Sequence, residues 1–202
     1  MKLLKLITMV LAIVIAQACK TAEVNEHNFK TQLSVYQNNK NRPVKKLSKT
    51  IKLDKKPFSL RFYNKKYDPE NKKFYTAQIA AFIEKSEFDK VKVGLAKNKL
   101  PCFSPGSGIA ANKSGKYEFL YFNNEGHHYA YYKNSESKRL RLLKNFGNLL
   151  QLEFDINSMA YNNKKVKINQ TNLKEFYLAF FIDKNLNGII EKGELNKLTI
   201  KI

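Results

Sequence analysis

The sequence is poor in glycine, proline and cysteine. Only 8 Gly, 5 Pro and 2 Cys occur among 202 residues, and the low glycine and proline content excludes collagen-like and wholly disordered chains. Hydrophobic residues make up 43% of the chain, with 14 Phe and 11 Tyr among them. The chain therefore has enough apolar material to bury a core, and its length is that of one domain.

Arginine is also scarce, because Lys supplies 33 of the 37 basic residues. The formal net charge of +20 favours anionic partners such as nucleic acid, phospholipid head groups or acidic polysaccharide. Bidentate recognition of bases and phosphates prefers Arg, so specific nucleic-acid binding is disfavoured. The lysines are scattered in pairs rather than gathered in one long run. We expect most of them to be solvated, which leaves anionic polysaccharide or lipid head groups as candidate partners.

No motif for a catalytic site is present. The sequence contains no Gly-x-Ser-x-Gly pattern and no recognisable acid/base pair of carboxylates. The glycines between residues 101 and 115 do not follow a strand and open a helix, so they do not predict a phosphate-binding loop. A non-catalytic protein is therefore favoured, and a secreted hydrolase with a site assembled from scattered residues is kept as an alternative.

The first 18 residues have the three parts of an export signal. Residues 1–5 carry two lysines, residues 6–16 are an apolar run, and Ala16-Gln17-Ala18 places small side chains at the cleavage positions. The apolar run has eleven residues, whereas a permanent transmembrane helix needs about 20. We therefore expect a cleavable signal peptide over residues 1–18.

Cys19 follows this signal directly. The arrangement resembles the lipobox of bacterial lipoproteins, in which the cysteine becomes the acylated first residue. The resemblance implies a lipid anchor on Cys19 that holds the protein on the outer or inner membrane, facing the periplasm or the cell surface. Ala16-Gln17-Ala18 suits ordinary signal peptidase equally well, so a soluble secreted or periplasmic protein is the alternative.

Cys102 is the second cysteine and has three interpretations. With Cys19 acylated, it is a small buried apolar residue. Without acylation, the two cysteines can form one disulfide in an oxidising compartment. A nucleophilic Cys102 needs a base such as His127 or His128, which only the tertiary fold can bring close.

The mature chain divides into a polar tether and one domain. Residues 19–43 are rich in Asn, Gln and Lys and are predicted to be the anchor and tether, with the domain over residues 44–202. Short alternating segments separated by turn signals predict a mainly β fold, an antiparallel β-sandwich of Ig-like or jelly-roll-like type. The alternating segments are 48–53, 57–63, 88–95 and 149–156, whereas 73–84 suits either strand or helix, with strand preferred.

Residues 183–194 match the twelve-residue EF-hand loop position by position. Gly188 lies at the sixth position, where the backbone must turn sharply. The candidate calcium ligands are Asp183, Asn185, Asn187, the carbonyl of Ile189, Glu191 through water, and Glu194. Calcium requires six to eight oxygens, and this spacing places them around one point.

The flanks of this loop favour strands rather than the helices of an EF-hand. Residues 175–182 are apolar at both alternating sets of positions, as in a buried central strand, and residues 199–202 have strand character. A helix beginning at Asn172 is the alternative. The strand–loop–strand form resembles the loops of calcium-stabilised β-sandwich repeats in bacterial surface proteins, which implies a fixed structural ion. Two Asn ligands leave modest negative charge, so we expect affinity near the millimolar range.

Residues 116–122 and 127–133 flank Asn123-Asn124-Glu125-Gly126 and predict an aromatic β-hairpin. His128, Tyr129 and Tyr131 are candidate ligand-binding residues there, able to stack on sugar rings. A metal site at His127 and His128 is disfavoured, because adjacent strand residues point to opposite faces.

The sequence as a whole predicts an exported, lipid-anchored cell-envelope protein with one structural calcium ion and a binding or assembly role. A carbohydrate-binding module that uses the aromatic hairpin is the alternative. No family resemblance extends over the whole chain.

Overall fold

A computed structural model describes residues 32–66, 68, 70–73, 75, 77–103, 108–109, 119–120, 130–131, 140–161 and 164–202. The described residues form a mainly β fold with one short helix, α1 (Lys85–Asp89), and three 3-10 turns, Lys97–Lys99, Pro101–Phe103 and Ile168–Gln170. The strands are β1 (Leu33–Gln37), β2 (Lys40–Val44), β3 (Ser48–Lys52), β4 (Phe58–Lys65), β5 (Ala77–Phe82), β6 (Gly108–Ile109), β7 (Phe119–Leu120), β8 (Ala130–Tyr131), β9 (Leu140–Phe146), β10 (Leu149–Ile156), β11 (Ser158–Tyr161), β12 (Lys164–Lys167), β13 (Glu175–Ile182) and β14 (Leu195–Lys201). In this part of the chain, no helix has the length and hydropathy needed to cross a membrane.

The strands form two large sheets and one small sheet. The first sheet has the order β2-β1-β4-β10-β9 and is antiparallel throughout. The second sheet has the order β3-β14-β13-β5-β6-β7, in which only β3 and β14 run parallel. A three-stranded sheet has the order β12-β11-β8.

The first and second sheets pack face to face across one hydrophobic core. Phe62 on β4 meets Phe180 on β13 with ring centroids 5.1 Å apart, and Phe58 meets Phe176 at 6.2 Å. The side chains of this core come from alternate positions of both sheets, as face-to-face packing requires. The fold is a β-sandwich of antiparallel and mixed sheets, which confirms the predicted fold class.

A second apolar cluster covers the outer face of the second sheet. There Tyr177 stacks on Phe88 of α1 at 5.1 Å, and Phe181 meets Phe103 at 5.6 Å. β13 is consequently buried on both faces, because the sandwich core covers one side and α1 with the 3-10 turns covers the other. This confirms the central strand predicted over residues 175–182, and the helical alternative from Asn172 is wrong.

Most of the other alternating segments also form strands. β3, β4 and β10 lie within or across the predicted segments 48–53, 57–63 and 149–156. Between residues 73 and 84, β5 is a fully buried strand, so the strand preference is confirmed there.

The predicted tether over residues 19–43 is wrong from residue 33 onward. β1 and β2 form a hairpin of the first sheet, and Leu33 and Val35 are fully buried in the sandwich core. Asn38 and Asn39 form its two-residue turn with positive φ values of 51° and 58°, which Asn tolerates and which matches strand twist. The prediction failed because this segment is rich in polar residues, which hid the alternation of its few apolar residues.

The strand predicted over residues 88–95 is wrong as well. Residue 88 lies in α1, and the chain then continues without a strand to residue 95. Phe88 and Val91 are buried three residues apart, which is helical spacing, whereas Val93 and Leu95 are left exposed. Lys197 of β14 donates from Nζ to the carbonyls of Phe88 and Val91 at 2.9 and 3.0 Å, which satisfies the end of the helix.

The described parts of the predicted aromatic hairpin do not pair with each other. β7 pairs with β6 in the second sheet, whereas β8 pairs with β11 in the small sheet. The other residues of the predicted hairpin over 116–133, including its turn, lie outside the described residues, so the hairpin stays a prediction.

Candidate metal centre

The loop of residues 183–194 joins the two central strands of the second sheet, β13 and β14. Asp183 directly follows buried β13 and Glu194 directly precedes β14, so both carboxylates lie at the base of the loop and are buried. The amide of Ile182 donates to the carbonyl of Glu194 at 3.1 Å and closes this base. The predicted strand–loop–strand arrangement is therefore present.

The backbone of the loop turns where an EF-hand loop requires it. Gly188 has a φ of +78°, a left-handed conformation that glycine adopts without steric cost. Its amide donates to Asp183 Oδ2 at 2.9 Å, which ties the sixth position of the loop to the first. Gly188 at this position is thus explained by the turn itself.

Two Asn side chains fold back onto the loop backbone. Asn185 Oδ1 accepts from the amide of Asn187 at 3.1 Å, and Asn187 Oδ1 accepts from the amide of Ile189 at 2.8 Å. Such Asx turns hold short side-chain oxygens close to the main chain. The amide nitrogens of both Asn residues donate to the two oxygens of Glu191 at 2.9 Å each. The predicted ligands at positions 3, 5 and 9 are brought together.

Glu194 connects the two ends of the loop. Its Oε1 accepts from the amide of Lys184 at 2.7 Å, and its Oε2 accepts from the amide of Glu191 at 3.0 Å. Each carboxylate oxygen has two lone pairs, so these bonds orient the group without exhausting its oxygens.

The two carboxylate oxygens of Asp183 have different surroundings. Its Oδ2 accepts from Lys97 Nζ and from the amide of Gly188, both at 2.9 Å. Its Oδ1 is buried and has no hydrogen-bond partner among the residues that the structure describes. A buried polar atom left unsatisfied costs about 1–3 kcal/mol, so this oxygen is the strongest local sign that the loop accommodates a further group.

Residues 94–97 hold the other side of the loop. Gly94 donates to the carbonyl of Ile190 at 2.8 Å, Ile190 donates to that of Leu95 at 2.9 Å, and Lys97 donates to that of Gly188 at 2.8 Å. The Ile189 side chain is exposed and its main chain bridges to Ala96. This segment stiffens the loop and places Lys97, which sequence reasoning missed because it lies 86 residues from Asp183.

The donors fit a hard cation, with one competitor present. The loop presents carboxylate, amide and main-chain oxygens, the ligand type that calcium prefers, and one buried carboxylate oxygen is unpartnered. Within the described ranges, no three His, Cys, Asp or Glu side chains converge as a metal-binding group. A bound ion would therefore depend on Asn and main-chain oxygens, and the ammonium of Lys97 would lie next to it.

Several predicted site residues lie outside the described residues. These are Cys19, His127, His128 and Tyr129, while Tyr131 is described only in its backbone, as part of β8. Cys102 is buried and free, and desolvation raises the pKa of its thiol to about 12. A thiol so rarely ionised is a poor nucleophile, which leaves Cys102 as a small buried apolar residue.

A second charged cluster lies on the outer face of the first sheet. Glu153 of β10 is buried and forms ion pairs with Arg61 and Arg141. Arg141 also pairs with Asp155 at 3.0 Å, and Ser59 donates to Asp155 at 2.7 Å. Alternation along β10 puts the two carboxylates on one face, but the strand register that brings the arginines opposite could not be deduced from sequence.

The charges of this cluster compensate one another. Burial raises the pKa of Glu153, but hydrogen bonds from Arg141 and Arg61 outweigh burial and leave the pKa below its usual value of 4.5. The Arg61 guanidinium also lies over the Tyr36 ring, 3.3 Å from its centroid. With two cations, two carboxylates and an aromatic cover, the cluster is a structural network.

Comparisons with protein-family models, with curated proteins and with solved structures find no match for this chain.

Proposed function

We propose that the chain is an exported, lipid-anchored cell-envelope protein whose β-sandwich carries one structural calcium ion in the loop of residues 183–194. Its role is binding or assembly rather than catalysis. Cys19 carries the lipid and positions the protein on a membrane, facing the periplasm or the cell surface. The observation that carries the calcium assignment is the buried Oδ1 of Asp183, which lacks a partner among the described residues.

The position of the loop supports a structural role for the ion. The loop joins the two central strands of the second sheet, and Asp183 and Glu194 lie at their ends. A cation shared by these two carboxylates would fix the ends of β13 and β14 relative to each other. Such an ion binds the folded state alone and therefore stabilises it.

The donor set supports weak affinity. Three carboxylates and two neutral Asn side chains give modest negative charge, and Lys97 offsets part of it at 2.9 Å from Asp183 Oδ2. We therefore assign the site to the weak, extracellular end of the calcium range, about 0.1–1 mM. A protein exposed outside the cytoplasm meets calcium at such concentrations.

The test of the calcium assignment is thermal unfolding of the chain beginning at residue 20, with calcium and with EDTA. This chain keeps every strand of the described fold, since β1 begins at residue 33. At a hundredfold excess of calcium over the dissociation constant, we expect about 2.7 kcal/mol of added stability. Asp183→Asn removes a charged ligand at nearly constant shape and should lose this gain. An equal gain in both proteins would contradict the assignment.

The test of the anchor is metabolic labelling of the full chain with radioactive palmitate. The wild type should carry the label and sediment with membranes, whereas Cys19→Ser should be unlabelled. Release of unlabelled wild-type protein into the soluble fraction would overturn the anchor and leave the calcium assignment untouched.

A further inference from the structure

One long edge of the sandwich is formed by β2 and β3. β2 is the end strand of the first sheet and β3 is the end strand of the second. Only residues 45–47 join them. A connection of three residues is long enough to cross the separation of about 10 Å between packed sheets. The two edge strands are thus joined by a short connection, and the segment of residues 40–56, whose side chains are mostly exposed apart from buried Val44, Ile51 and Leu53, is termed the basic corner.

The basic corner holds an unusual share of the charge. Seven lysines and Arg42 stand against one carboxylate, Asp54, so 17 residues contribute +7 to a chain whose formal net charge is +20. Among the described residues, none of these eight cations forms an ion pair. Lys52 also lies directly opposite Lys201 of β14, a like-charge pairing that is unfavourable without an anion.

The basic corner also exposes one large apolar side chain, Leu47. Leu47 is 48% exposed, the largest value among the large hydrophobic residues that the structure describes, and exposed Lys45 and Lys46 precede it. Its carbonyl accepts from the amide of Lys197 at 2.6 Å, and Lys49 Nζ donates to the carbonyl of Pro43 at 2.6 Å. Leu47 is thus exposed on a backbone that hydrogen bonds hold in place, next to cations in the chain.

We propose that the basic corner binds the head groups of anionic phospholipids, with Leu47 entering the interfacial region between the lysines. Lysines attract an anionic bilayer as long, flexible point charges, and each contributes about fivefold to binding near the surface. Edge lysines also prevent strand addition by other chains, but that role does not explain an exposed Leu47. A polysaccharide would satisfy the lysines and make no use of the leucine.

This proposal rests on the proposed export to a membrane, and it extends that function to direct contact between domain and lipid. If Cys19 is acylated, only twelve residues separate it from Gln32, the first described residue. Even a fully extended segment of that length spans at most about 40 Å. The basic corner, which follows β1 in the chain, then stays within reach of the head groups.

The experiment is sedimentation of the chain from residue 20 with vesicles, in EDTA. Vesicles of phosphatidylglycerol and phosphatidylcholine are compared with vesicles of phosphatidylcholine alone. We expect binding to the anionic vesicles only. The triple variant Lys45→Gln/Lys46→Gln/Lys52→Gln should lose on the order of a hundredfold in affinity.

The matched control is Lys92→Gln/Lys99→Gln/Lys174→Gln, which removes the same charge from exposed positions elsewhere and should keep most of the binding. Leu47→Ser should weaken binding severalfold, whereas Leu143→Ser, at another exposed leucine, should not. Circular dichroism of each variant checks that it is folded.

Equal losses in the two triple variants would overturn the proposal, since charge alone would then suffice. Corner-dependent binding to alginate without binding to anionic vesicles would also overturn it, in favour of an acidic polysaccharide. EDTA keeps these outcomes independent of the calcium site, because failure of lipid binding leaves the calcium-dependent stability of the same protein unchanged.

Discussion

Two buried carboxylates in this molecule have opposite surroundings. Glu153, on the first sheet, pairs with Arg61 and Arg141 through both of its oxygens. Asp183, at the start of the C-terminal loop, pairs with Lys97 through one oxygen, while the other has no partner among the described residues. The first carboxylate has both oxygens paired within the chain, whereas the second has one buried oxygen without a partner among the described residues, where we propose that calcium binds. The unsatisfied oxygen, rather than burial alone, therefore distinguishes the proposed calcium ligand from the acid of an ion-pair network.

The largest effect should come from removing the charge of Glu153 from its ion pairs with Arg61 and Arg141. Glu153→Gln leaves two guanidinium groups without their carboxylate, and breaking such a charged network costs about 3 kcal/mol in the free energy of unfolding. Urea denaturation measures this loss, which should be the same with calcium and with EDTA. Glu70→Gln, at an exposed position, is the control and should have little effect. A loss that appears only with calcium would show that Glu153 is linked to the ion.

The next largest effect should come from removing the ammonium of Lys97, which competes with calcium for the carboxylate of Asp183. Lys97→Gln takes the ammonium away from Asp183 Oδ2, so calcium should bind about tenfold more tightly, or about 1.4 kcal/mol. Lys99→Gln removes the same charge from a neighbouring exposed position and should change the affinity much less. Calcium titration of the two variants measures the difference. Equal changes would mean that Lys97 acts only through net charge.

The smallest effect should be the pH dependence of the stability that Glu153 contributes. The pKa of Glu153 is lower in the folded state than its usual value of 4.5. Its stabilising contribution is therefore fully present above that value and is lost as the pH falls through the folded pKa. The stability gap between wild type and Glu153→Gln should therefore narrow as the pH falls below the usual value of 4.5. A gap that stays constant as the pH falls would contradict the lowered pKa.

The difference between the two sites also shows what could be deduced from sequence. The EF-hand-like spacing predicted a sharp turn at Gly188, which the structure forms with a left-handed φ, and the double alternation of residues 175–182 predicted the buried strand that leads into the loop. Lys97 could not be predicted, because it reaches Asp183 through the pairing of residues 94–97 with the loop. Strand register likewise brings Arg61 opposite Glu153, and no local pattern encodes it.

The errors in the sequence prediction have a common cause. The hairpin of β1 and β2 carries few apolar residues among many polar ones, so composition favoured a tether although Leu33 and Val35 are core residues. Residues 88–95 alternate like a strand, yet the second sheet needs a cover on its outer face, and α1 supplies it. Tertiary packing outweighed local pattern in both places.

The most direct test of the calcium assignment is isothermal titration of calcium into the chain from residue 20 and into its Asp183→Asn variant. We predict one site in the wild type, with a dissociation constant of about 0.1–1 mM, and no binding at that site in the variant. The calcium assignment would be contradicted if neither the wild type nor Lys97→Gln bound calcium over this range. The loop would then be a turn closed by Lys97, with the unsatisfied oxygen of Asp183 left unexplained.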